Sequence, residues 1–180
     1  MEFDSPPRNH TTWEDNGFSN REAMDAAHAT VLEAIGQVGS ALDLGCGDGA
    51  LLSKIAAGRD GKWAGVECDP ERVARGLKRH LGVKFVVSRM EEIDAALGYE
   101  IGQYDVVLLM PGRFLEVSAE KGKKLRKTLR QTTAGRLVVY AYGDMVREHG
   151  DLIRLTLKAG LPAPSRVVVS DAAQAGEVRL

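Results

Sequence analysis

The chain has 180 residues, of which 44% are hydrophobic and 27% charged, and a net charge of −1; this suits one globular domain with one core. So balanced a charge offers no global field for nucleic acid or an anionic membrane. No apolar run approaches the roughly 18 residues that span a bilayer, and the acidic start, Met1-Glu2-Phe3-Asp4-Ser5-Pro6-Pro7, lacks the apolar stretch of a secretory signal. The two cysteines, Cys46 and Cys68, have no histidine pair near them. They make no metal site and are expected as reduced thiols in the cytoplasm.

Residues 1–18 are polar, proline-bearing and irregular, an N-terminal arm that carries Trp13 and Phe18. The arm either folds over a ligand site as a lid or is pinned to the core by its aromatics. The domain itself is expected over 19–180. Ser19 with Glu22 reads as the capping box of a first helix, whose Met24, Ala27, Val31, Leu32 and Ile35 recur at helical spacing up to Gly36. Ala41 to Leu44 ends a buried strand, and Ala50 to Ile55 has helical spacing. Between them Gly45, Gly47 and Gly49 recur at every second position. A strand that turns at once into a helix needs backbone angles that glycine accepts cheaply. The helix that follows aims its free N–H groups at whatever binds there, so the loop reads as a nucleotide-type cofactor site at the carboxyl end of the first strand.

Lys62 to Cys68 is a second strand ending in Glu67, and Asp69-Pro70 caps the next helix, which runs to Gly82. An acid at that strand end fits a ribose, since one carboxylate accepts from both vicinal hydroxyls. Val83 to Val87 is a third strand, followed by Ser88-Arg89-Met90-Glu91-Glu92. Tyr104 to Met110 is a fourth, apolar almost throughout as a central parallel strand should be, and Pro111 to Glu116 leaves its end as a loop in which Arg113 either binds an anionic group or is an ordinary surface arginine. Ser118 to Arg130 is a helix with a lysine- and arginine-rich face, read as a solvated surface because no aromatics interleave it. Arg136 to Tyr142 is a fifth strand, with Tyr140 and Tyr142 on one face; Asp151 to Ala159 is a helix; Ser165–Val169 and Glu177–Leu180 pair as a closing hairpin. Strands and helices in this order imply a doubly wound, mostly parallel Rossmann-like α/β sheet of seven strands with one antiparallel near its edge and helices on both faces.

Two cofactors compete for the glycine loop. Gly45-x-Gly47-x-x-Ala50 satisfies the dinucleotide fingerprint of an NAD(P)-dependent oxidoreductase. Asp43-x-Gly45-x-Gly47-x-Gly49 resembles motif I of the class I S-adenosylmethionine (SAM) dependent methyltransferases, and Asp43 favours that reading, because a carboxylate there suits the cationic amino-acid tail and sulfonium of SAM. Glu67 resembles their motif II. The resemblance implies strand order 3-2-1-4-5-7-6 and a cofactor site built from Asp43, Gly45, Cys46, Gly47, Gly49, Glu67, Cys68, Arg89, Met90 and Met110. It fails at one point: the family's third strand ends in an Asp for adenine, and Arg89 or Ser88 stands here instead. Adenine would then rest on backbone groups at Arg89 and Met90, or on Glu91.

The implied reaction is in-line displacement of the sulfonium methyl onto a nucleophilic N or O of a small-molecule acceptor, gripped by loops for want of an inserted domain. Orientation supplies much of the rate in such a transfer. No catalytic residue is marked; Asp144, Tyr142, Glu116, His149 and His10 are candidates for a base by position, and Trp13, Arg113 and Tyr142 for acceptor contacts. His28 and His80 read as structural. A SAM-binding module without catalysis is the non-enzymatic alternative.

Overall fold

A computed structural model of the chain describes residues 11–93, 103–115 and 118–180. The sheet is wound outward from β1 (Ser40–Leu44), which lies parallel to β2 (Lys62–Glu67) on one side and to β4 (Tyr104–Leu109) on the other. β3 (Lys84–Val87) extends the first side, and β5 (Thr133–Tyr142), β7 (Ala173–Val178) and β6 (Arg166–Val169) extend the second. The order is β3-β2-β1-β4-β5-β7-β6, with β7 antiparallel to both its neighbours, as the resemblance implied.

Alternation along the strands fills a core on each face. Leu42, Leu44, Val107 and Leu109 join one cluster with Leu125, Leu129 and Leu155. Ala41, Val106 and Leu108 join the other with Val31, Ile35, Leu52 and Ile55. Asp43 falls between Ala41 and the loop, paired in register with Gly65 and Leu108. It is therefore a carboxyl group in the middle of the sheet, at the point where the winding reverses and a crevice opens above the strand ends.

The helices are α1 (Thr12–Asp15), α2 (Arg21–Ile35), α3 (Ala50–Ala56), α4 (Pro70–Arg79), α5 (Pro111–Phe114), α6 (Ala119–Thr132), α7 (Gly143–His149) and α8 (Leu152–Lys158), with a 3₁₀ turn at Met90–Glu92. Asp69, Ser118 and Asp151 cap α4, α6 and α8 through their side chains, each accepting from backbone N–H groups of the first turn. α2 begins one residue later than the expected box at Ser19: Asn20 accepts from the Ala23 N–H at 2.8 Å, so Ser19 stays outside the helix.

Other boundaries differ for local reasons. α4 stops at Arg79, and Leu81 and Gly82 form a turn. The arm is not wholly irregular, because Thr11 and Glu14 form a capping box that starts α1. Pro111 opens a helical turn rather than a loop, its missing N–H being no loss at the first helical position. α7 was hidden by a glycine at its start. β7 begins at Ala173, not Glu177: Ala-Gln-Ala-Gly has poor strand propensity, and pairing of Ala173–Val178 with Leu137–Tyr142 on one side and β6 on the other overrides it. Among the described residues, no helix is long and apolar enough to cross a membrane.

Candidate functional site

A cavity of about 700 Å³ opens above the carboxyl ends of β1, β2 and β4. Its floor is the turn after β1. Gly45, Gly47 and Gly49 all take positive φ, at 89°, 59° and 83°, where other residues are strained. At Gly49 even the space is taken, since a Cβ would come 2.5 Å from the Phe85 ring. The Gly45 and Cys46 N–H groups donate to Val66 O, which ties the turn to β2.

Two acids from neighbouring strands line this cavity. Asp43, 1% exposed, is the last residue but one of β1. Burial pushes its carboxyl up to about 7; the Tyr140 hydroxyl, donating at 3.3 Å, works against this, and Glu67 adds to it. Glu67 ends β2, 6% exposed. Its Oε2 accepts from the Gly47 N–H and its Oε1 from the Asp69 N–H, both at 3.0 Å, and the Cys68 thiol also donates to Oε1 at 3.4 Å. A carboxylate has about four lone-pair sites; the three donors leave one open on Oε2, and displacing the weak thiol donor from Oε1 opens the second that a vicinal diol needs.

Cys46 is buried, with its sulfur filling the space left by the absent side chain of Gly65. Burial, with Asp43 and Glu67 nearby, pushes its thiol well up, so it is no nucleophile. Ser88, Arg89, Met90 and Glu91 form the wall on the β3 side. Glu91 is buried there, its Oε1 3.3 Å from Lys121 Nζ and 3.9 Å from Arg89 Nη1. Met110, Tyr140 and Tyr142 form the opposite wall. The two tyrosine rings stand 5.4 Å apart, and Tyr142 packs edge-on against Phe18 at 4.8 Å.

Several residues singled out from the sequence fall elsewhere. Asp144 is exposed and paired with Arg147; His149 stands 3.8 Å from Glu148; neither lines the cavity. Trp13 is half-buried under Arg21 rather than in the cavity. Gly49 shapes the turn without lining the cavity. The Arg113 backbone belongs to α5, and its side chain, like Glu116 and His10, lies outside the described residues. His28 is buried against Phe18 and Tyr142, and burial pushes it down to about 3, so it stays neutral.

Two features had no signal in the spacing. Asn16, from the arm, lines the cavity and donates to Asp48 Oδ1 at 2.7 Å. Asp48 is fully buried; burial would raise its carboxyl, but His80, Asn16 and Arg79 outweigh this and hold it well below the carboxylate range. Arg79 Nη1 reaches Asp48 Oδ2 and Asp15 Oδ2, each at 2.7 Å, and Arg75 forks onto both oxygens of Asp15. The charged network thus lashes α1 to α4 and to the glycine turn.

The geometry suits a nucleoside with a cationic tail, and comparison with known proteins agrees. A family model described as a methyltransferase domain matches residues 37–165, a span that holds the glycine turn and both acids. The chain belongs to this methyltransferase family. SAM is the family's cofactor, which sets the dinucleotide reading aside.

Among solved structures, the methyltransferase chain resembles the N-methyltransferase NodS from Bradyrhizobium japonicum in complex with S-adenosyl-L-homocysteine (SAH), with a TM-score of 0.65 at 14% identity over 89% of each chain. A TehB-like SAM-dependent methyltransferase from Corynebacterium glutamicum scores 0.57 at 14% identity over 84% of this chain and 85% of that one. The 1,6-didemethyltoxoflavin-N1-methyltransferase of Burkholderia thailandensis scores 0.57 at 16% identity over 90% and 80%. At such identities the likeness is one of fold, the class I methyltransferase fold. No curated protein matches the chain.

Proposed function

We propose that the protein transfers the sulfonium methyl of SAM to a nucleophilic nitrogen or oxygen of a small-molecule acceptor by in-line displacement. The observation that carries this reading is the pairing, in one cavity, of a glycine turn with two strand-end carboxyl groups, Asp43 and Glu67. SAM supplies an activated methyl when bound. What the chain contributes is binding, orientation and exclusion of water.

In this reading Glu67 accepts from the ribose hydroxyls while its other lone pairs hold the Gly47 and Asp69 N–H groups. Asp43 faces the cationic tail. Adenine lies against Met90, whose thioether adapts to a flat ring, with Glu91 in the place of the missing acid and Lys121 steadying it. Cys46 and Cys68 serve through their backbone. The acceptor enters beside Met110 and Tyr142, where the aromatic wall of Tyr140 and Tyr142, backed by Phe18 against Tyr142, favours a flat, largely apolar molecule. A cavity of this size and the mixed charge of the chain support a small acceptor over a nucleic acid. Of the candidates for a base, Tyr142 alone lines the cavity among the described residues, and burial raises its hydroxyl far above neutrality. An amine acceptor that arrives unprotonated therefore fits better than an alcohol.

The test is calorimetric titration with SAH and NAD, followed by a methyl-transfer assay across a panel of amines, phenols and heterocycles. SAH is expected to bind and NAD not, with turnover on at least one nitrogen heterocycle. Tight SAH binding with no turnover on any acceptor would instead point to a cofactor-binding module.

A further inference from the structure

Among the described residues, Asn16 is the only part of the cavity wall that comes from the segment before β1. It closes the C-terminal end of α1. Both of its amide hydrogens are committed: Nδ2 donates to Thr12 O at 2.8 Å and to Asp48 Oδ1 at 2.7 Å. These partners are acceptors, so the amide has one sense only; reversed, its oxygen would face a carbonyl and a carboxylate. The side-chain carbonyl is thereby turned onto Gly47, so close that a Cβ at that position would collide with it. Gly47 lines the same cavity. Among the described residues no donor reaches this carbonyl.

Its placement does not depend on a ligand. Asp15, the preceding residue, is held by Arg75 and Arg79, and Arg79 also grips Asp48. The end of α1 is thus fastened to α4 through Asp15 and to the glycine turn through the bond from Asn16 to Asp48. An oriented carbonyl with no hydrogen left to give can recognise a donor and cannot recognise a carboxylate. The donor-rich, cationic part of SAM is its α-ammonium, and Asp43 already supplies negative charge in the same cavity.

Resting on the SAM reading above, we infer that Asn16 is a cofactor-binding residue whose side-chain carbonyl accepts a hydrogen bond from the α-ammonium of SAM over Gly47. The end of α1 is then a fixed wall of the cofactor site, and its contribution is to the amino-acid tail of the cofactor rather than to the nucleoside.

Two probes separate this role from a structural one. SAH carries the tail; 5′-methylthioadenosine has the same nucleoside and a thioether sulfur but no amino-acid tail. Both are titrated by calorimetry into the wild-type protein and into Asn16→Ala and the near-isosteric Asn16→Leu, run in parallel so that failure of one variant to fold leaves the other. The inference expects SAH affinity to fall about tenfold or more, as for a hydrogen bond to a charged group, while 5′-methylthioadenosine affinity stays within about twofold. Equal losses for both ligands would show that Asn16 acts only by shaping the turn, and unchanged SAH affinity would show that it touches nothing; either result overturns the inference. If the wild type bound neither ligand, the SAM reading itself would fall, and this inference with it.

Discussion

At the scale of single residues the two strand-end acids carry separable consequences. Asp43 is buried in the sheet with its carboxyl pushed up to about 7, chiefly by burial. Its raised folded value means that the folded chain holds a proton the unfolded chain has lost; the stability from the neutral form is full below the ordinary carboxylate range and is lost as pH rises toward 7. A ligand whose ammonium group faces Asp43 reverses this preference. SAH affinity is therefore expected to rise from pH 5 to pH 7 and level off above it, with proton release on binding near pH 6, read by calorimetry in buffers of different ionisation enthalpy. The facing hydroxyls of Tyr140 and Tyr142 and the Cys46 thiol are all raised further from neutrality by burial, so Asp43→Asn should flatten the profile and weaken binding; a slope that survives in that variant belongs to another group. Glu67 offers a sharper loss. Replacing it with Ala removes charge-assisted hydrogen bonds worth about 1.5–3 kcal/mol each and frees the Gly47 and Asp69 N–H groups it now holds. SAH affinity is expected to fall tenfold or more, measured by the same titration. Asp43 and Glu67 were legible in the sequence because motif spacing carried them. Asn16 was not, because it reaches the cavity only through tertiary packing of a remote arm; Glu91, named from the sequence as one alternative for adenine, lines the cavity from a 3₁₀ turn beyond the end of β3.

At the scale of elements, α1 and α4 meet across a network in which Arg79 bridges two buried carboxylates, Asp15 and Asp48. Arg79→Ala leaves both with too little positive charge. Removing one partner of a buried pair costs about 3–5 kcal/mol, and the lower end is expected here because Arg75 still serves Asp15 and Asn16 still serves Asp48. Urea denaturation checks this; a change below about 1 kcal/mol would show the network to be solvated. Asp48 is held below the usual carboxylate range. Its contribution is present above that range and is lost as pH falls toward its folded value. Elements with strong local signals were readable from the chain: Asp69-Pro70, Ser118 and Asp151 each mark a helix start that the structure keeps. Those without were not. α7 opens on glycine, α1 is a single turn, and the first half of β7 is small residues made into a strand only by partners on both sides.

At the scale of the whole molecule, the count and alternation of strands were enough to imply a doubly wound, mostly parallel sheet with one antiparallel strand near its edge, while the order of the seven strands came from the resemblance to the methyltransferases. The same architecture explains what could not be read. The part of the crevice proposed for the cofactor is set by strand ends, which sequence spacing reports. The wall of Met110, Tyr140 and Tyr142, where the acceptor is proposed to enter, and Phe18 packed behind it meet only in the fold. The account turns on the glycine turn and its two acids gripping one nucleoside, and a crystal structure of the protein with SAH addresses it most directly. The ribose hydroxyls are expected within hydrogen-bond distance of Glu67 and the amino-acid tail across Gly45 and Gly47, between Asp43 and Asn16. A crevice that stays empty at saturating SAH, or SAH bound away from this turn, would contradict it.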